Sequence, residues 1–215
     1  MKNYLSLTDH VYNHIVEQIN NGTLTSGNKV NESALCDALK VSRTPVREAL
    51  IQLSTEGLLE NIPRKGFIIK SLTTEEAKET YLIIGALDGL AATLTAHLLT
   101  EKHLKEMEFY IESIDLAINT GNFSMYHKMQ ESFHNVYLSI CPNKSLVALL
   151  LQLEKKFLKT FDWMEDPEWT ANKLKETNNE HRKMLELFRE RKTSELESYL
   201  KDVHWDVNKA ELVPL

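Results

Sequence analysis

Two groups of side chains in this sequence have types and spacings that could do chemistry. The first is Arg43, Thr44 and Arg47, inside Val41-Ser42-Arg43-Thr44-Pro45-Val46-Arg47-Glu48-Ala49-Leu50. Val46, Ala49, Leu50 and Leu53 recur at i, i+3, i+4 and i+7, the buried stripe of a helix. The two arginines and the threonine then project from the opposite face, near the helix start. There a guanidinium can fork onto guanine O6 and N7, and a threonine can bond a phosphate or touch a thymine methyl. The second group is His134, His181 and His204. His134, with Gln130 one helical turn before it, borders an apolar stripe of Tyr126, Met129, Phe133, Val136, Tyr137 and Ile140. His181 falls between Leu174, Thr177, Met184, Leu185 and Phe188, and His204 lies among Leu196, Leu200, Val203 and Val207. Three helices thus each turn one imidazole inward. Burying neutral imidazoles without partners costs on the order of 1–3 kcal/mol each, and a shared metal satisfies all three. Imidazole suits zinc, nickel, copper or iron, and three ligands leave a position open for water or a further ligand. A metal-free pocket whose histidines hydrogen-bond directly to a ligand is the other reading.

The elements that must hold these groups follow from periodicity. Val11, Ile15 and Ile19 predict a first helix over Thr8–Asn21, stopped by Gly22. Asn31 can cap a second over Glu32–Leu39, and after a tight connection at Lys40–Ser42 a third runs from its cap Ser42 to about Glu56. Pro45 is tolerated in its first turn and Gly57 ends it. The period then shortens. Leu58–Ile62 and Phe67–Lys70 read as strands on either side of Pro63-Arg64-Lys65-Gly66. Three helices and a hairpin make a winged helix-turn-helix, with Lys65 and Gly66 at the wing tip suited to the DNA backbone or minor groove.

From Ser71 onward the pattern is helical. Thr73 and Glu76 resemble a capping box for a helix reaching Leu99. Further helices follow over 101–119, 123–140, 144–163, 168–191 and 194–211. Gly85, Ala86, Gly89 and Ala92 permit close helix packing, inside the bundle or between subunits. Tyr81, Phe157, Phe161 and Trp163 could line a cavity. The fold class expected is mainly α: a winged helix-turn-helix over residues 1–70, then an all-helical bundle over 71–215.

Composition narrows the function classes. The 7 Gly and 5 Pro among 215 residues leave little material for turn-rich β architecture. Cys36 and Cys141 form no C-x-x-C pair, which argues against a disulfide framework or a Cys-based zinc finger and suits a reducing cytosol. Met1–His10 is polar, and the apolar run Tyr81–Leu99 carries Asp88 and His97. Neither a signal peptide nor a membrane span is expected, so the protein reads as soluble and cytoplasmic, with no membrane partner. The net charge of -6 is uneven: the first 70 residues hold 8 Lys/Arg against 7 Asp/Glu, and the rest hold 17 against 24. Within the neutral third, Arg43, Arg47, Arg64, Lys65 and Lys70 cluster at the reading face and wing.

The first 70 residues resemble the GntR family of bacterial transcription regulators through Asn20-Asn21-Gly22, Gly27, Asn31-Glu32, the Val41–Leu50 segment, Leu53, Glu56-Gly57-Leu58 and Lys65-Gly66-Phe67. With a helical remainder, the whole is similar to the FadR-type subgroup, whose ligand-sensing domain is called FCD. The resemblance implies a homodimer on a palindromic operator in double-stranded DNA, acting as a repressor whose grip changes when a small-molecule effector binds. It implies DNA contacts from Asn31, Ser33, Ser42, Arg43, Thr44, Arg47, Arg64, Lys65 and Gly66. It also implies a divalent metal, zinc first and nickel or another next, held by an Asp-x-x-x-His pair and one His on each of two later helices. His134, His181 and His204 match the histidines, whereas Gln130 stands where the Asp is usual. The effector is expected beside Tyr81, Asp88, Gln130 and the three histidines. Ile84 precedes Asp88 where relatives often place an effector-clamping Arg. No enzymatic activity is expected. A metal-dependent hydrolase built on three histidines and a water is the rival from another class, and a pure metal sensor is the third reading.

Overall fold

The computed structural model describes residues 5–20, 22–70, 72–155 and 167–212. Two compact units form, one centred on residues 1–74 and the other on 75–153 and 163–212.

The first unit comprises α1 (Leu7–Asn20), α2 (Glu32–Leu39), α3 (Arg43–Thr55), β1 (Leu59–Ile62) and β2 (Gly66–Ile69). Val11, Ile15 and Ile19 of α1 meet Val46, Ala49, Leu50 and Leu53 of α3, and Leu59, Phe67 and Ile69 of the hairpin close the core. The Asn31 side chain caps α2 by accepting from the backbone N–H groups of Ser33 and Ala34. Lys40, at φ 54°, ends α2 in the left-handed region and turns the chain into α3. Ser42 occupies the cap position of α3, but its hydroxyl makes no capping bond. The strands pair antiparallel, with Leu59 opposite Ile69 and Ile62 opposite Gly66. The α1–α2 connection is stitched to β2 by bonds from Gly27 N to Ile69 O and from Val30 N to Phe67 O. At the wing tip Arg64 (φ 67°) and Gly66 (φ 90°) both take left-handed backbone. At Gly66 that conformation favours a residue without a Cβ.

The second unit comprises α4 (Thr74–Thr95), α5 (Glu101–Asn119), α6 (Phe123–Leu138), α7 (Lys144–Glu154), α8 (Pro167–Glu190) and α9 (Thr193–Tyr199). Ile114 and Ile118 of α5, Tyr126 of α6 and Leu174 of α8 share one buried cluster. Two boundaries move inward from those expected. Helix α4 stops at Thr95, whose hydroxyl bonds back to the carbonyls of Ala91 and Ala92, and α6 stops at Leu138, ahead of the Cys141-Pro142 break.

The helix expected over 194–211 is a larger correction. After α9 the chain makes a π-turn over Leu200–His204 and a 3-10 stretch over Val207–Leu212. Its signature is an i→i−5 bond from Trp205 N to Leu200 O, 2.9 Å. The extra residue in the turn changes which side chain faces inward. Val203, expected inside, is 39% exposed, while His204 is 7% exposed. Small residues let this segment approach α4. A Cβ on Gly85 would lie 3.1 Å from the Trp205 Cβ and 3.2 Å from the Lys201 Cα, and one on Gly89 would lie 3.2 Å from the Glu197 carbonyl oxygen. Ala92 is buried in the same unit and Ala86 is exposed. No helix among the described residues is long and apolar enough to cross a membrane. Phe157, Phe161, Trp163 and the end of the helix expected over 144–163 lie outside the described residues.

Candidate DNA interface and metal centre

In the first unit α3 buries Pro45, Val46, Ala49, Leu50 and Leu53 and leaves Arg43, Thr44 and Arg47 exposed on the other side. The Arg47 side chain, 68% exposed, pairs through Nε with Glu32 Oε2 of α2 at 3.1 Å. That pair holds the guanidinium over the α2–α3 groove, and its solvent exposure makes it a weak tether that a nucleic acid can displace. Ser33, Ser42, Arg64 and Lys65 are also exposed, and Gly66 is half-buried at the wing tip. Asn31 is exposed too, and its side-chain oxygen is engaged in the α2 cap.

In the second unit His134 of α6, His181 of α8 and His204 of the π-turn converge. Their ring centroids form a near-equilateral triangle with sides of 5.3, 5.2 and 5.2 Å. One ring nitrogen from each lies within 4.8 Å of the other two, and all three residues are buried. On α8 the inward row Leu174, Asn178, His181, Leu185 and Phe188 follows the i, i+4, i+7 rhythm, which places His181 fully inside. Phe133 floors the triangle, 4.6 Å from the His181 ring.

Each imidazole is held at Nδ1 by a different group. Tyr137 donates its hydroxyl proton to Asp88 Oδ1 at 2.5 Å, so its oxygen accepts from His134 Nδ1, 2.9 Å away. Asn178 donates through Nδ2 to Ile111 O (3.0 Å) and Asp115 Oδ1 (2.7 Å). Its amide oxygen therefore faces His181 Nδ1 at 3.3 Å. His204 Nδ1 donates to Glu180 Oε2 at 2.9 Å, and Lys209 pairs with the other Glu180 oxygen. Burial pushes the Glu180 carboxyl above its usual range, against the opposing pull of Lys209. All three contacts place the proton on Nδ1 and leave Nε2 with its lone pair. A hydrogen bond at one imidazole nitrogen that orients the other is the usual support of a metal-ligating histidine. The donor set fits a divalent transition metal, with His134, His181 and His204 as its holders.

Around this centre, Asp88 is fully buried and also accepts from Trp205 Nε1 at 2.9 Å. Tyr81 packs edge-on to Trp205, and burial together with Glu180 pushes its phenol up to about 12, so it stays a hydroxyl at neutral pH. Gln130 is half-buried one turn before His134. Ile84 is fully buried on α4, one turn before Asp88. Tyr137, which the sequence presents only as part of the apolar stripe, and Asn178, Glu180, Trp205 and Lys209 join the site in the fold. The available signal was spacing: Tyr137 follows His134 by three residues and Asn178 precedes His181 by three, so each shares a helix face with its histidine.

Comparisons with known proteins agree with this layout. Residues 7–69 match the family "Bacterial regulatory proteins, gntR family", and residues 79–203 match the FCD domain. The HTH-type transcriptional regulator YdhC of Bacillus subtilis is 34% identical over 140 residues, a stretch spanning 65% of this chain and 62% of that protein. The Nta operon transcriptional regulator of Aminobacter aminovorans is 26% identical over 174 residues, covering 81% of this chain and 80% of that one. In structure, E. coli McbR/YncC superposes with a TM-score of 0.82 at 23% identity over 97% of this chain and 98% of its own, a likeness of fold. Nothing in these matches supports the hydrolase alternative. The chain belongs to the GntR family of bacterial regulatory proteins, with an FCD domain behind its winged helix-turn-helix.

Proposed function

We propose that the protein is a transcriptional regulator that reads a palindromic operator with two copies of residues 1–70 and senses a small molecule in residues 71–215. The observation that carries this reading is the exposed row Arg43, Thr44 and Arg47 on a helix whose other face is the domain core. In the major groove the arginines address guanine edges. Asn31, Ser33 and Ser42 approach phosphates, and Arg64, Lys65 and Gly66 hold the flank through the wing. Two copies are required by the palindrome. Support for a homodimer comes from α4, which presents Ile83, Ala86, Leu90 and Leu94 to solvent as an apolar stripe. In the repressor reading, effector binding loosens the grip on DNA, and the cytoplasm is where such a protein works.

The sensing site is the histidine triangle. His134, His181 and His204 hold a divalent metal, zinc in the first instance, with Gln130 able to add a carbonyl oxygen. When bound, the metal supplies an electrophilic position for an oxygen or nitrogen of the effector. Tyr81, packed against the Trp205 that follows His204, offers a hydroxyl to the effector, and Asp88 reaches the site through Tyr137. The effector shifts DNA binding only by as much as its affinity differs between the two arrangements of the heads. A genomic pull-down followed by footprinting on the enriched sequence tests the reading. Protection of two half-sites, lost in Arg43→Ala and Arg47→Ala, is the expected result. Equal binding to unrelated DNA by wild type and variants would contradict it. The pure-sensor version remains distinct: there, adding or removing zinc alone changes the footprint.

A further inference from the structure

The three-histidine centre contains no carboxylate among its inward-facing ligands, because Gln130 stands one turn before His134 on α6. Three neutral imidazoles bring no charge of their own to a divalent cation in a buried site, a costly arrangement at low dielectric, and Glu180, which accepts from His204 Nδ1, is already paired with Lys209. A carboxylate is nevertheless nearby. Asp88, 0% exposed on α4, lies with Oδ2 3.8 Å from His134 Nδ1 and with Oδ1 2.5 Å from the Tyr137 hydroxyl that joins it to that nitrogen. Among the described residues no lysine or arginine pairs with it. Among the described residues its hydrogen-bond donors are neutral, the Tyr137 hydroxyl and the Trp205 indole N–H. A fully buried carboxylate with no Lys or Arg partner among the described residues is expensive to keep, and the centre it adjoins is the place where a cation would offset that cost.

Resting on the metal reading of the histidines, we infer that Asp88 is the charge-balancing residue of this centre, acting through Tyr137 on His134. The carboxylate pulls the Tyr137 proton toward itself, which makes the phenol oxygen a better acceptor for His134 Nδ1–H. The imidazole gains electron density, and Nε2 becomes a stronger donor to the metal. Asp88 is thus a positioning residue that supplies from α4 the negative charge that Gln130 does not supply from α6. Trp205, next in sequence to His204, fixes the second carboxylate oxygen. The π-turn that turns His204 inward therefore also brings the indole onto Asp88.

The test compares zinc affinity, by competition with a chromophoric chelator, for wild type, Asp88→Asn, Tyr137→Phe, the double variant and His181→Ala. Cobalt-loaded samples and the melting temperature of metal-free protein are measured alongside. Asp88→Asn and Tyr137→Phe should each weaken zinc about 10- to 100-fold, and the double variant should be no weaker than the worse single, since both cut one relay. The cobalt absorption band should move in both, because His134 has become a weaker donor. A merely structural role lowers the metal-free melting temperature and leaves the band in place. If wild type binds zinc, His181→Ala abolishes it and Asp88→Asn stays within twofold, the charge-balancing role is overturned and the histidine site stands. Should Asp88→Asn fail to fold, Tyr137→Phe alone decides, a twofold change or less overturning the role. If wild type itself binds no zinc, the metal reading fails and takes this inference with it.

Discussion

The reading head and the histidine centre place their functional groups in opposite ways. Arg43, Thr44 and Arg47 stand on the solvent side of one short helix, and their placement is decided within ten residues by the stripe beneath them. His134, His181 and His204 sit inside the bundle, each oriented by a partner, and those partners reach out to Asp88, Asp115 and Lys209 on other elements. One site is displayed and pays little to be exposed. The other is buried and needs every polar group answered. The contrast suits the tasks proposed for them: DNA supplies its own partners on arrival, whereas a small-molecule or metal site must be pre-organised.

The sharpest way to break this contrast is at the buried site. His181→Ala removes the imidazole at the centre of α8 and should abolish zinc binding in equilibrium dialysis, with operator affinity in the absence of zinc left within a few fold. A variant that kept its zinc would move the site elsewhere. Next in size, Arg47→Ala should lower operator affinity by about 1–3 kcal/mol per half-site, read by fluorescence anisotropy, with zinc content unchanged. Losing both functions together would mean that the two regions are not separable. Smaller still, Gly85→Ala presses a methyl against Trp205 and Lys201 and should destabilise the bundle by about 1–3 kcal/mol in denaturant unfolding. No loss there would show that the π-turn yields easily. Last, Asn31→Ala deletes the α2 cap, costing about 1 kcal/mol of stability in the first unit, a change a domain-resolved unfolding experiment can assign.

How much of each region was legible follows from the same contrast. The winged helix-turn-helix could be read from local rules: the period of α3, the Asn31 cap, the breaks at Gly22 and Gly57, and the change of period into the hairpin. The inward direction of His181 was equally local, since α8 keeps a regular stripe. His204 lies inward beside the buried Leu196 and Leu200, as its helical spacing predicts, and Val203 is the neighbour that departs. An uninterrupted helix puts Val203 inside; the π-turn that turns it out sits where Gly85 lets the chain approach α4 and where Trp205 donates to Asp88, contacts that helical spacing does not reveal. The relay Tyr137–Asp88 spans 49 positions and Asn178–Asp115 spans 63. Helical spacing shows which residue neighbours a histidine, but not which distant carboxylate completes the chain. The missing ligand at Gln130 was visible in the sequence, while the carboxylate behind Tyr137 needed the fold.

Three buried imidazoles, each held at Nδ1, stand or fall together as the proposed metal site. Elemental analysis of protein purified without chelator, beside His181→Ala prepared in parallel, addresses it most directly. About one zinc or similar transition metal per chain is expected in the wild type and none in the variant. An absence of metal in both, persisting after incubation with excess zinc, would contradict it and leave the histidines as hydrogen-bonding groups for a ligand that needs no ion.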